Sequence, residues 1–155
     1  MIGSFPRTGR RILLAAAIGM ALAAQALGVD FETERLTVPG DDGAIELLVE
    51  IADTSERRAR GYMERTDILP HEGMLFIYER PREILMWMAN TPTALDMIFL
   101  KADGTIVSIE EDTTPFSRAV ISSGAPARYV LEVLAGSSRR WGLQPGDRLE
   151  GPRFR

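Results

Sequence analysis

Polar and aromatic residues gather around one proline in the middle of this chain. Trp87 is followed by Asn90 and Thr91, and Asp96 closes the same segment. Amide, hydroxyl and carboxylate groups can bind a ligand through hydrogen bonds, while an indole ring can stack on a sugar or another planar group. The same residue types beside a proline also form rigid turns. The segment is therefore either a binding loop or a structural turn.

A second group of candidate residues lies near the end of a predicted helix, at Arg60, Met63 and Arg65. An arginine there can hold an anionic group of a ligand, or it can tie the helix to the rest of the fold by hydrogen bonds. Together with the first group these residues predict a binding cleft. Its proposed members are Arg60, Met63, Arg65, Trp87, Asn90, Thr91 and Asp96.

A carboxylate pair is the basis of an enzymatic alternative, a hydrolase acting on envelope polysaccharide. Asp96 and Glu132 both lie on predicted strands, and glycoside hydrolysis commonly uses two acids. Glu132 could equally pair with Arg60 or Arg65. The sequence contains no Gly-x-Ser-x-Gly, His-Glu-x-x-His or phosphate-loop motif. We therefore assign no catalytic residue and favour a non-enzymatic binding or accessory module.

Methionine is the basis of a second alternative, a Cu(I)-handling protein. Met86 and Met88 share one face of a predicted strand, and thioethers are ligands that select Cu(I). The chain has no repeat of methionine and histidine, however, and His71 is its only histidine. We therefore expect no metal site and no bound cofactor. The absence of cysteine also excludes disulfides and thiolate ligands.

The first 26 residues are typical of a cleavable signal peptide. Arg7, Arg10 and Arg11 precede an apolar run that is rich in alanine and leucine. Residues 24–26 have the small-x-small pattern that a signal peptidase cuts after. The apolar run is shorter than the ~20 residues that a spanning helix needs. We expect residues 27–155 to form one periplasmic or secreted domain without stable membrane insertion, exported by the general or the twin-arginine route.

The net charge of the chain limits the kinds of partner that it can bind. Removing the three leader arginines from 18 basic residues leaves 15, against 22 acidic residues, so the exported chain would carry a net charge of −7. An acidic surface repels the phosphates of nucleic acids and anionic lipids. We expect no nucleic-acid partner. The remaining candidates are a small molecule or an envelope protein.

The pattern along the chain predicts short strands between turns. Alternation of apolar and polar residues predicts a half-buried strand over 45–52 and others over 74–78, 83–88, 118–121 and 128–134. Residues 96–101 and 105–110 flank a glycine turn that is typical of a hairpin. Asp53 and Glu56 predict the start of a helix that runs to about Tyr62, and 137–141 predicts a helical turn. We expect a mostly β, single-domain barrel or sandwich with one or two short helices.

Five segments of this chain resemble the DUF192 family, a group of small, mostly exported bacterial and archaeal domains of unknown function. The resemblance covers about 45–149 and is carried by residues 60–65, 73–76, 87–91, 95–99 and 103–104. Ala94 stands where the family usually has proline, and Tyr62 where it usually has leucine. The resemblance implies a small, largely β barrel or sandwich, and it implies no particular chemistry.

Overall fold

Six strands form one open sheet in the computed structural model, which describes residues 28–155. Two further strands, each of two residues, pair with each other beside this sheet. Two short helices complete the fold. The elements are β1 (Glu32–Val38), β2 (Ile45–Ala52), α1 (Ser55–Arg60), β3 (Glu72–Arg82), β4 (Leu85–Met86), β5 (Leu95–Leu100), β6 (Ile106–Glu110), β7 (Ile121–Ser122), β8 (Ala127–Leu134) and α2 (Ser137–Trp141).

The strand order of the sheet is β1-β2-β3-β8-β5-β6, and the small ribbon pairs β4 with β7. Neighbouring strands run antiparallel except β2 and β3, which run parallel and are joined by a crossover that contains α1. The prediction of a mostly β domain with two short helices is confirmed. The sheet does not close into a barrel.

The central strands are buried on both faces, because each face of the sheet carries its own apolar core. The first core includes Leu47, Val49, Leu131 and Trp141, so α2 and the C-terminal segment cover this face. The second core lies on the opposite face, beneath the turn after α1 and the segment between β3 and β5. Its members are Ala52, Tyr62, Ile68, Met74, Phe76, Ile84, Met88, Leu95, Met97, Phe99, Ala127 and Val130.

The helix after β2 is shorter than its sequence pattern predicts. Its N-cap is Thr54, whose hydroxyl accepts a hydrogen bond from the backbone N–H of Arg57, so the predicted cap at Asp53 is wrong by one residue. The helix ends at Arg60 because Gly61 adopts a positive φ of 45°. Tyr62 is buried, but it belongs to the turn that follows the helix, and α1 itself has no buried residue.

Two predicted strands are also shorter than expected. The segment 83–88 pairs only at Leu85 and Met86, and 118–121 contributes only its last residue to β7. Both segments lie outside the main sheet, and they pair with each other over two residues only. The predicted hairpin is confirmed: β5 and β6 are antiparallel neighbours, and Gly104 in the turn has a φ of 85°.

The predicted leader, with its cleavage site after Ala26, lies outside the described residues. Within residues 28–155 the helices are too short and too polar to cross a bilayer.

Candidate functional site

A pocket of about 220 Å³ opens on the second face of the sheet, between the end of α1 and β4. We call it the Glu132 pocket, because a single carboxyl lies among its apolar and aromatic walls. Its volume is below the ~300–1,000 Å³ of sites for drug-sized ligands. The lining residues are Arg58, Ala59, Arg60, Gly61, Tyr62, Met63, Phe76, Tyr78, Leu85, Met86, Trp87, Thr91 and Glu132.

The pairing register of β8 places Glu132 in the pocket. Glu132 lies opposite Met74 of β3 and Met97 of β5, and paired residues on neighbouring strands point to the same side of a sheet. Met74 and Met97 are fully buried in the second core. The carboxyl is therefore flanked by apolar side chains on both neighbouring strands.

Glu132 is only 4% exposed and forms no hydrogen bond or ion pair with any side chain or backbone group among residues 28–155. Burial alone raises the pKa of its carboxyl from 4.5 to about 8, because no neighbouring charge or hydrogen-bond donor offsets the lost hydration. A ligand-free pocket at pH 7 therefore holds mainly the neutral acid.

Hydrogen bonds hold the two sides of the pocket together. The backbone N–H of Glu64 donates to the carbonyl oxygen of Asn90 at 2.8 Å, and both residues have positive φ angles, of 64° and 56°. The Thr93 hydroxyl donates to the carbonyl oxygen of Arg65 at 2.9 Å. These contacts join the turn after α1 to the loop after β4, and they bring Met63 to the same pocket as Trp87.

Arg58 fixes the end of α1 against β3. Its guanidinium donates to the carbonyl oxygens of Asp53 at 2.6 Å and Ile77 at 2.8 Å, and it lies 5.2 Å from the ring centre of Tyr78. Arg82 lies 4.8 Å from the centre of the same ring. Burial raises the pKa of Tyr78, and the two guanidinium groups oppose that shift. The hydroxyl of Tyr78 donates to the Met86 sulfur at 3.5 Å, which joins β3 to β4 at this wall.

Tyr62 separates the Glu132 pocket from a smaller cavity of about 110 Å³ on its other side. Arg65 lines that second cavity, pairs with Glu50 and lies 4.9 Å from the centre of the Tyr62 ring. Burial raises the pKa of Tyr62 well above its ordinary value, and the nearby carboxyls of Glu50 and Glu132 add to the shift. Tyr62 is therefore a neutral wall with Arg65 behind it.

The structure brings together four of the seven residues predicted for the cleft: Arg60, Met63, Trp87 and Thr91 all line the pocket. Arg65 and Asn90 lie just behind its walls; the Asn90 amide is 4.0 Å from the Met63 sulfur. Neither predicted pairing of Glu132 is formed, since Arg60 pairs with Glu64 and Arg65 pairs with Glu50.

Asp96 does not reach this pocket. It pairs with Val133, so it faces the first core while Glu132 faces the second. Its carboxylate is fully buried and accepts four hydrogen bonds of 2.6–3.0 Å, three from backbone N–H groups and one from the Ser138 hydroxyl. The backbone donors are Asp112, Gly136 and Ser138. Asp96 thus joins β5 to the start of α2 and to the loop after β6.

The methionines divide between pocket and core. Met63 and Met86 line the pocket, whereas Met88 is 1% exposed and accepts a hydrogen bond from the Thr113 hydroxyl at 3.2 Å. The predicted pair of Met86 and Met88 is therefore not presented together. Among residues 28–155, no cluster of three or more His, Cys, Asp or Glu side chains is arranged to hold a metal ion.

Glu132 is the one carboxyl that lines the pocket, and the predicted cleft omits it. The signal for it is present in β8, whose residues Tyr129, Val130, Leu131, Val133 and Leu134 are all apolar. A strand whose remaining residues are nearly all apolar is buried on both faces, so a carboxyl within it must face an enclosed space or a partner. The sequence gives no such signal for Phe76 and Tyr78, which form the aromatic walls, because aromatic residues on a strand are typical of an ordinary core.

Together the open six-stranded sheet, the crossover with α1 and the Glu132 pocket define a small mostly β domain with a small cleft on the second face of its sheet. Residues 37–151 match the DUF192 family, whose description is "Uncharacterized ACR". This chain belongs to the DUF192 family.

Two solved structures share the fold and the sequence pattern. A proposed transcription regulator from Sinorhizobium meliloti 1021 is 43% identical, with a TM-score of 0.77 over 80% of this chain and 97% of that one. A protein of unknown function from Novosphingobium aromaticivorans DSM 12444 is 32% identical, with a TM-score of 0.73 over 81% of this chain and 89% of that one. The sequence matches no curated protein.

Proposed function

We propose that this domain is an exported, non-enzymatic module that binds a small molecule in the Glu132 pocket. One observation carries the proposal: a buried carboxyl without a protein partner lies in a pocket that is open to solvent. Buried polar groups in proteins are nearly always hydrogen-bonded to protein or to ordered water, so a carboxyl without a protein partner is open to water or to a ligand group. A bound molecule would supply the missing partner, and the aromatic walls would bury its apolar part.

The position of the acids favours binding over hydrolysis. A hydrolase of the kind considered from the sequence needs two carboxyl groups about 5–9.5 Å apart on either side of one bond. Asp96 and Glu132 face opposite sides of the sheet, and Asp96 has all its hydrogen-bonding capacity occupied by donors from residues 112, 136 and 138. Asp96 therefore cannot serve as a second acid beside Glu132 in the pocket.

The name of the Sinorhizobium relative suggests a role in transcription, but the charge of this chain argues against contact with DNA. The chain carries 22 acidic and 18 basic residues. Non-specific affinity for DNA depends on neutralising phosphates with basic side chains. A small-molecule partner fits the pocket without this conflict.

Export is part of the proposal and rests on the leader pattern of residues 1–26. It is tested by expressing the full chain in a Gram-negative host and sequencing the N-terminus of the periplasmic form. We expect a new N-terminus at Leu27. A protein recovered from the cytoplasm with residues 1–26 still attached would contradict export.

Ligand binding is tested by a thermal-shift screen of the purified protein against sugars, small amines, carboxylates and amino acids. A ligand that binds only the folded state raises the unfolding midpoint. Trp87 and Val120 are 59% and 64% exposed, and of the two only Trp87 lines the pocket, so Val120→Ala is the matched control. We expect a stabilising ligand to act on the wild type and on Val120→Ala, and to lose its effect in Trp87→Ala.

A screen without a stabilising ligand in any class would contradict the proposed binding role. So would a ligand whose effect survives both Trp87→Ala and Glu132→Gln, because it would bind elsewhere.

Cu(I) is a second candidate, favoured by the presence of both Met63 and Met86 in the pocket wall. It is tested by competition with a coloured Cu(I) chelator. Met86→Leu should weaken Cu(I) binding at least about tenfold if the thioether is a ligand. Met88→Leu is the control, since Met88 is buried in the second core. Equal Cu(I) affinity in both variants and the wild type would contradict this candidate.

A further inference from the structure

The missing partner of Glu132 identifies the kind of ligand that the pocket accepts. Glu132 lies on β8 between two apolar strands, and its carboxyl is unpaired. A buried carboxylate is stable when a positive charge or several hydrogen-bond donors face it. The pocket has neither at this point, so a ligand that brings a positive charge with N–H donors would complete the site.

The arginines that line the pocket or lie behind Tyr62 make contacts within the domain. Arg58 donates to the two carbonyl oxygens of Asp53 and Ile77, Arg60 pairs with Glu64, and Arg65 pairs with Glu50 behind Tyr62. None of these guanidinium groups donates to Glu132. Glu132 therefore has no counter-charge from the arginines that line the pocket.

The remaining groups around Glu132 are neutral. Tyr62 faces it from the turn after α1 and Tyr78 from β3, and burial raises the pKa of both phenols. β4 contributes Met86, and β5 contributes Met97. Aromatic faces and edges and thioethers surround an apolar ligand well, and the face of Trp87 or Phe76 attracts a cation electrostatically.

We propose that the ligand is a small organic cation, with a primary ammonium group on the Glu132 carboxylate and an apolar or aromatic body between Phe76 and Trp87. This assignment rests on the proposed binding function and specifies its ligand class. The ammonium group can donate up to three hydrogen bonds to the carboxylate and to neighbouring acceptors. The limited volume of the pocket selects a small ligand.

Binding of such a cation releases a proton from the Glu132 carboxyl. In the free pocket burial holds the pKa of Glu132 at about 8, so at pH 7 the acid is mostly protonated and must release its proton to accept the ammonium group. Affinity should therefore rise about fiftyfold from pH 6 to pH 8, following the ionised fraction of the acid. The opposite ligand class, a carbonyl compound or carboxylate anion that accepts a hydrogen bond from the neutral acid, should bind more weakly as the pH rises through 8.

Isothermal titration with 2-phenylethylamine and n-butylamine tests the proposal. The neutral 2-phenylethanol and the anionic 3-phenylpropionate are the comparison probes, since they keep a similar body and change the charge. We expect an amine to bind, the affinity to increase with pH between 6 and 8, and close to one proton to be released at pH 7. Proton release is read from the difference in heat between two buffers of unlike ionisation enthalpy.

Glu132→Gln should abolish amine binding and proton release, because an amide cannot supply the negative charge. Glu79→Gln is the matched control: Glu79 lies exposed on β3 and does not line the pocket. The fold of Glu132→Gln is checked by its circular dichroism and unfolding midpoint. Amine binding that persists in folded Glu132→Gln would overturn the proposal.

The outcomes for the binding function and for the ligand class are distinguishable. Binding of 2-phenylethanol or 3-phenylpropionate without amine binding, lost in Trp87→Ala and retained in Glu132→Gln, would overturn the ammonium assignment and leave the binding function standing. Failure of all four probes at millimolar concentration would overturn the ammonium assignment, and the wider thermal-shift screen would then decide the binding function by itself.

Discussion

Asp96 and Glu132 lie on neighbouring strands but face opposite sides of the sheet, because Asp96 pairs with Val133 and Glu132 pairs with Met97. Both carboxyls are buried, at 0% and 4% exposure, yet their surroundings differ. Asp96 accepts four hydrogen bonds, whereas Glu132 accepts none from residues 28–155. One acid therefore stabilises the fold, and the other is available to a ligand.

Replacing Asp96 should destabilise the protein strongly. In Asp96→Asn an amide nitrogen would face a donor in place of a carboxylate oxygen, and at least one buried N–H group would lose its acceptor. We expect the free energy of unfolding to fall by about 3 kcal/mol, measured by urea denaturation. Asp112→Asn, which alters an exposed pair with Arg139, should cost far less. Equal effects of the two variants would contradict this role for Asp96.

Glu132 should make the ligand-free protein less stable as the pH rises. Its pKa is about 8 in the folded state and about 4.5 in the unfolded chain, so between these values the folded state binds the extra proton. The free energy of unfolding should then fall by about 3 kcal/mol from pH 5 to pH 8 through this group.

The comparison that isolates this effect is the difference in unfolding free energy between Glu132→Gln and the wild type. The unfolding free energy of Glu132→Gln should increase relative to that of the wild type as the pH rises, since the amide of the variant does not titrate. A difference that stays constant from pH 5 to pH 8 would show that the pKa of Glu132 is not raised.

Two arginines near the pocket should differ in their contribution to stability. Arg65 is 27% exposed, pairs with the partly buried Glu50 and lies over Tyr62, whereas Arg60 is 41% exposed and pairs with the exposed Glu64. Arg65→Ala should lower the free energy of unfolding by about 2 kcal/mol, because Glu50 loses its partner. Arg60→Ala should change it by less than about 0.5 kcal/mol. Chemical denaturation of both variants measures these changes. A larger loss of unfolding free energy in Arg60→Ala than in Arg65→Ala would contradict the prediction.

Gly104 should tolerate no side chain, because two separate constraints act on it. Its φ is 85°, and an added Cβ would lie 2.4 Å from the carbonyl oxygen of Leu149 and 2.9 Å from the ring of Phe154. Gly104→Ala should therefore cost more than about 2 kcal/mol. Gly124 has a similar φ of 67° but open space around it, so Gly124→Ala should cost only about 1 kcal/mol. Similar unfolding midpoints for the two variants would show that the contact with Leu149 relaxes freely.

The local pattern of the sequence was sufficient to predict most elements of the fold. The alternation of Leu47, Val49 and Ile51 predicted β2, and the glycine turn at Gly104 predicted the hairpin of β5 and β6. Periodicity and turn chemistry act over a few residues, so they are visible in the sequence alone. The exact ends of α1 were not predicted correctly, because Asp53 and Thr54 are both residue types that cap helices well, and the sequence does not distinguish them.

The residues that line the pocket were predicted in part. Arg60, Met63, Trp87 and Thr91 line the pocket as the grouping of polar and aromatic residues suggested. Asp96 shares a sequence segment with Thr91 but belongs to the opposite face of the sheet. Side chains on a strand alternate between faces, so a shift of one residue in pairing decides which core an acid enters.

By itself the sequence determined the family, the mostly β class and the residue types that gather near Trp87, because each of these depends on local pattern. Only the tertiary structure decided which acid is free. That outcome depends on the register of β8 between β3 and β5 and on the contact of Glu64 with Asn90, which joins segments 26 residues apart. Long-range pairing of this kind is set by the packing of the whole sheet, and no short stretch of sequence contains it.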